Sequence, residues 1–198
     1  MFTILFNSKS KAKMETNTPD QQRAGNQNTL LRSTMTMGLI TGLALVIYTL
    51  LLYATNNLLN QNFVLGILNY VILIIGIIVG TRSYRDQALG GFISYGKALG
   101  YGVLLCVFTG VVIGLFTYLL YEVIDPGLLE KNIKIIQDEM LKSGMPADQV
   151  ESMTEVQRQF RSPFMMLIGS IFSYSLLGLI FSLITSAFLK KDQPMFNQ

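Results

Sequence analysis

The 198-residue chain has no histidine, no tryptophan and a single cysteine, and only 14% of its residues are charged. Each absence excludes something. Without an imidazole there is no Ser-His catalytic pair, no His-ligated zinc and no histidine proton relay. Cys106 alone makes neither an intramolecular disulfide nor a Cys-rich metal site. A soluble domain carries about 25% charged residues, roughly twice the share found here. The net charge of +3 is too small to argue for nucleic acid as a partner. What is present instead is apolar: 51% hydrophobic residues and 17 glycines, with a mean hydropathy of +0.44.

The scarce charges are also unevenly placed. No Asp, Glu, Lys or Arg occurs between Arg32 and Arg82, between Lys97 and Glu122, or between Arg161 and Lys190. A bilayer core needs about 20 apolar residues per helix. The first stretch holds two spans split by Asn56, Asn57, Asn60, Gln61 and Asn62, and the other two hold one each. The chain is therefore expected to be all-α, an integral membrane four-helix bundle with spans at 34–55, 63–81, 98–121 and 164–189. Four buried helices of a soluble protein would need a larger polar shell than this chain supplies. Residues 1–32 read as a flexible polar tail, with too little apolar surface to offset ordering. The opening MFTILFNSKSKAK does not read as a cleavable signal peptide. Residues 191–198 read as a short second tail, and 33–190 as the membrane domain.

Lys and Arg set the orientation. Lys9, Lys11, Lys13, Arg23 and Arg32 precede the first span, Arg82, Arg85 and Lys97 lie between the second and third, and Lys190 and Lys191 follow the fourth. The Asn-rich turn carries none, and the 122–162 loop is net acidic. Both termini are expected on the cytoplasmic side of a bacterial inner membrane.

In lipid, helices associate through close packing and a few hydrogen bonds. Gly38 and Gly42, Gly76 and Gly80, Gly96 and Gly100, and Gly110 and Gly114 are each one turn apart and mark expected packing faces, within the bundle or between copies in a homo-oligomer. Asn69, Ser170, Ser173 and Ser175 lie at bilayer depth, as interhelical hydrogen bonds or as the lining of a polar path. No acidic or basic residue is buried in a span, which counts against ion-coupled transport.

Two loops remain. In TRSYRDQALGGFISYGKALG, Gly91, Gly96 and Lys97 match part of a phosphate-binding loop, but Ala98 stands where magnesium needs a hydroxyl and no strand precedes. The segment reads instead as an interfacial connector: Tyr84 and Tyr95 at headgroup level, Arg82, Arg85 and Lys97 toward anionic lipid, and Gly90–Gly91 at the bend. The outer segment, 125–161, reads as an amphipathic helical hairpin outside the membrane. Asp125 would cap its first helix, with Pro126 at the first helical position. Leu129, Ile133, Ile136 and Met140 form one apolar stripe, and Val150, Met153, Val156 and Phe160 a second. These stripes either pack on each other or on the bilayer, or meet a protein partner, with the first stripe as its contact.

MGLITGLALVIYTLLLY, YRDQALGGFISYGKALGYG, YLLYEVIDPGLLEK and IQDEMLKSGMPADQVESM together resemble bacterial membrane proteins grouped as domain of unknown function 4199, over about residues 33–190. The resemblance implies a four-helix membrane protein with no assigned activity. A tetraspanin-like reading fails because the large outer loop has no cysteine. No residue is assigned as catalytic, cofactor-binding or metal-ligating. A scaffold or accessory protein acting through the hairpin is the expected function, with an oligomeric channel or small-solute transporter as the alternative. A membrane enzyme is disfavoured, since Arg82, Arg85 and Asp86 form no recognisable set.

Overall fold

The computed structural model describes residues 19–59, 62–160 and 163–191. It contains six α-helices: α1 (Pro19–Ala54), α2 (Phe63–Ala88), α3 (Tyr95–Leu119), α4 (Leu128–Lys142), α5 (Ala147–Phe160) and α6 (Pro163–Leu189). A short π-helical turn, Leu120–Ile124, ends α3. Four of the helices are long and apolar enough to cross a membrane, and α4 and α5 form a hairpin between the third and fourth. The fold is an all-α integral membrane bundle.

The helix ends follow local chemistry. Asn56 adopts φ +56° just beyond α1, and Asn57 N donates to Leu52 O at 2.8 Å. This left-handed cap satisfies carbonyls that would otherwise end unpaired. Asn62 then caps α2, its side chain accepting from Val64 N at 3.0 Å. Gly144, at φ +85°, ends α4 in the same way, with Met145 N donating to Met140 O at 3.1 Å.

Two helices are longer than expected. α1 starts at Pro19, so the second half of the expected tail is helical; residues 1–18 lie outside the described residues. Propagation of an existing helix adds one hydrogen bond per residue fixed, and Gln, Arg, Ala and Leu in this stretch favour it. α2 likewise runs past Thr81 to Ala88 because Tyr84 turns inward and is buried.

α3 is the organising helix. It packs most extensively on α6, then on α1 and α2. The α3–α6 contact is antiparallel: a Cβ at Gly102 would meet the Ser182 side chain, one at Gly178 would meet Cys106 Cβ at 2.5 Å, and one at Gly110 would meet Ile171 Cα at 2.9 Å. The α1–α3 contact is parallel. Gly38 faces Leu105, Phe108 and Thr109, and Gly42 faces Val112. Thr109 Oγ1 donates to Gly38 O at 3.2 Å, a bond only a side-chain-free Gly38 surface permits. Leu45, Leu73, Ile77, Tyr101 and Leu105 fill the middle and are fully buried. The outer surface of the spans is apolar, with Ile47, Leu51, Phe172 and Phe188 exposed as lipid-facing residues would be.

Candidate functional site

The bundle has a hairpin end and a connector end, and each carries an arrangement that reaches beyond packing. At the hairpin end, α4 and α5 pack chiefly on each other. Leu128, Ile133, Val150 and Thr154 are the buried residues of that contact. Gln137 Nε2 donates to Thr154 Oγ1 at 3.0 Å across it, and Arg158 pairs with Glu130 at 3.1 Å on its surface.

This geometry corrects the assignment of the stripes. Ile133 is 0% exposed and serves the interior of the hairpin, while Leu129, Ile136 and Met140 are half-buried. Thr154 replaces Met153 in the buried stripe because a hydroxyl can pair with Gln137 there and a thioether cannot. Met153 (48% exposed), Val156 (51%) and Leu141 (47%) are left on the outside. The Phe160 side chain lies outside the described residues.

Asp125 has a different role from the one its position suggests. The residue before α4 is Gly127, with no side-chain cap. Asp125 instead accepts from Tyr53, at the end of α1, and from Lys131, each at 3.4 Å. The π turn makes this reach available: Asp125 N donates to Leu120 O at 2.9 Å, five residues back, which rotates the carboxylate away from the α4 amides. The hairpin is thus tied at its base, where Asn132 Nδ2 also donates to Tyr121 Oη at 3.4 Å.

At the connector end, Gly90 (φ +65°) and Gly91 (φ +89°) make the bend in a conformation that other residues rarely adopt. The connector is stitched to the end of α6 by a two-bond bridge, Ile93 N to Lys191 O and Lys191 N to Ile93 O, both 2.9 Å. Lys191 Nζ lies 5.5 Å from the Phe92 ring centroid. Arg85 donates to Asp86 at 2.7 Å and to the terminal Leu189 carbonyl of α6 at 3.4 Å. Its charge is therefore matched by Asp86 and directed at a helix C-terminus, where a cation is favourable. Arg82 and Lys97 are exposed.

Of the two connector tyrosines, Tyr95 is exposed as expected and Tyr84 is not. Tyr84 is 6% exposed and stacks on Tyr101 with ring centroids 4.9 Å apart. Tyr101 hydrogen-bonds Ser33 at 3.0 Å, and Tyr95 donates to Leu183 O of α6 at 3.2 Å. The Tyr84 and Tyr101 rings pack within the bundle, and the Tyr101 hydroxyl finds its partner in Ser33.

Two cavities lie at this end, the smaller of them against the Tyr84–Tyr101 stack. One, of about 320 Å³, is bounded by Leu30, Tyr84, Leu89, Lys97 and the open faces of Gly96 and Gly100. A Cβ at either glycine would meet nothing within 4 Å, so these two do not bring helices of this bundle together. Gly76 and Gly80 do face neighbours, Thr41 and Leu105 respectively, and Gly114 faces Leu167 and Ser170. Spacing alone missed Gly102 and Gly178, whose signal was the four-residue period Ala98, Gly102, Cys106, Gly110, Gly114. The second cavity, about 530 Å³, lies between α1 and α2 and is lined by Arg32, Thr36, Ser83 and Gln87 among others.

Three of the four polar residues at bilayer depth are paired locally. Asn69 hydrogen-bonds Tyr174 across the α2–α6 contact. Ser170 and Ser175 donate to Met166 O and Ile171 O of their own helix, and Ser173 is exposed on the outer surface. The Thr81 and Ser182 hydroxyls are buried without a hydrogen-bond partner among the described residues. Among those residues no group of three or more Cys, Asp or Glu is placed to hold a metal ion.

A family model described as "Protein of unknown function (DUF4199)" matches residues 36–191. No curated protein and no solved structure matches the chain.

Proposed function

The chain belongs to this family of proteins of unknown function, and from that premise we propose that it is a non-enzymatic scaffold or accessory protein of a bacterial inner membrane. Both termini and the connector lie on the cytoplasmic side, and the α4–α5 hairpin is displayed on the other. The distribution of Lys and Arg supports this orientation.

The observation that carries the reading is the hairpin itself. It is a small self-packed unit, tied to the spans at Asp125, that leaves Met153, Val156 and Leu141 exposed. Exposed Met and Val beside Glu151 and Glu155 suit a partner with an apolar knob flanked by basic residues. The contact face is therefore Met153 and Val156 on α5, with Leu129, Ile136 and Met140 contributing their half-exposed edges.

Photo-crosslinking from position 153 in intact membranes, followed by mass spectrometry, tests it. A discrete adduct is expected, and changing Val156 to Asp should remove it while membrane insertion is unaffected. An adduct that survives this change, or none at all, would count against the hairpin as the binding element.

A further inference from the structure

The cleft between α1 and α2 at the connector end is chemically one-sided. Its charged lining residue is Arg32, and no carboxylate among the described residues lines it. Asn28, Thr36, Ser83 and Gln87 add hydroxyl and amide groups, and the volume is about 530 Å³. Arg32 forms no ion pair with any described residue. A guanidinium with neutral donors around it and no counter-ion fits an oxyanion.

The walls change character toward the middle of the spans. One turn beyond Thr36 on α1 is Ile40, and one turn beyond Ser83 on α2 is Val79. Both are exposed, at 56% and 50%. The cleft is therefore polar at its mouth and continues as an apolar lane on the lipid-facing surface. Arg32 and Ile40 are eight residues apart, about 12 Å along a helix axis. A phosphate at Arg32 would set glycerol esters beside Thr36 and Ser83 and acyl chains beside Ile40 and Val79. A free oxyanion would use only the mouth.

We propose that this cleft is a binding site for one anionic glycerophospholipid, with its phosphate on Arg32 and its headgroup between Asn28 and Gln87. The site is separate from the hairpin, so its success or failure leaves the hairpin's role untouched.

The test uses the full chain, purified in mild detergent and titrated with phosphatidylglycerol or phosphatidylcholine, with bound lipid counted by native mass spectrometry. One phosphatidylglycerol per chain should be retained in preference to phosphatidylcholine. Arg32→Gln should weaken retention about tenfold, the loss of one charge-assisted contact. Ser83→Leu, which fills the cleft and leaves Arg32 in place, should do the same, and Lys97→Gln should not. Because Arg32 is exposed, its variant keeps the fold and decides the question even if Ser83→Leu does not. Equal retention by Arg32→Gln and the unaltered protein would overturn the proposal. So would equal binding of the two lipids, or displacement of the lipid by excess inorganic phosphate, which would make a soluble oxyanion the ligand.

Discussion

Adding a single methyl group at Gly110 should loosen the whole bundle, and the same change at Gly100 should not. A Cβ at position 110 would lie 2.9 Å from Ile171 Cα and 3.2 Å from Ser170 O, both main-chain atoms of α6. Ordinary carbon–carbon contact begins near 3.5 Å, so α6 must retreat by roughly 0.6 Å. A side chain could rotate away, but a helix backbone moves only as a body. A radial gap of 0.5–1 Å forfeits about a quarter to a half of each dispersion contact it opens. In lipid no hydrophobic term compensates for this, since the tails are as apolar as the helix surface. Gly110→Ala should therefore destabilise the protein by about 1–3 kcal/mol, the range for overpacked sites. At Gly100 nothing lies within 4 Å of the added atom. There alanine gains helix propensity, worth up to about 1 kcal/mol in water, without a clash. The measurement is the midpoint of SDS-induced unfolding in mixed micelles, followed by circular dichroism. Gly110→Ala should fall below the unaltered protein, and Gly100→Ala should match or exceed it. Equal midpoints for the two variants would refute the α3–α6 register.

Ile133→Asp should melt the hairpin rather than merely weaken a surface contact, because Ile133 is fully buried between α4 and α5. Losing that side chain costs about 2–5 kcal/mol and the buried carboxylate adds to it. Hydrogen exchange should accelerate across residues 128–158 and stay slow in the spans; unchanged protection of α4 would show that Ile133 is not interior. Cys106, buried against Gly178, is a reporter for the same bundle. Its labelling by a maleimide should be at least about a hundredfold slower in the folded protein than in SDS, since reagent must wait for opening. Prompt labelling in mild detergent would mean that α3 and α6 are not closed over it.

The spans were legible because charge is excluded from lipid and its absence can be read directly. The hairpin was legible because Gly144 and Pro146 punctuate two amphipathic stretches. Which glycines touch a neighbour was not. On α3 the four-residue spacing fits both Gly96–Gly100 and Gly110–Gly114, yet one pair faces a cavity and the other faces α6. The buried stripe runs through Ala98, Gly102 and Cys106, and a search for glycine pairs passes over the alanine and the cysteine. In α5, apolar periodicity selected Met153 over Thr154, because a pattern along one helix carries no information about Gln137 on the other. The connector-end cleft was hidden for a further reason. Asn28 and Arg32 fell in a stretch read as a tail, and a helix face cannot be assigned to a segment thought to lack a helix.

The glycines of α3 therefore divide by height, and the division fixes where anything can enter. From Gly102 to Gly114 the helix is sealed: α6 lies on one side at backbone distance, and α1 covers the other through Gly38 and Gly42. Below Gly102 the stacked rings of Tyr84 and Tyr101, braced by Ser33, join α3 to α2 and α1, while α6 continues beside α3 and accepts from Tyr95 at Leu183 O. Rings cannot follow a helix surface as closely as a backbone can, and a cavity remains beside them. Its placement follows from the packing rather than from the loops, since the clamp of Arg85 on Leu189 and the Ile93–Lys191 bridge holds the connector against α6. Leu45, Leu73 and Leu105 are fully buried in the middle of the bundle.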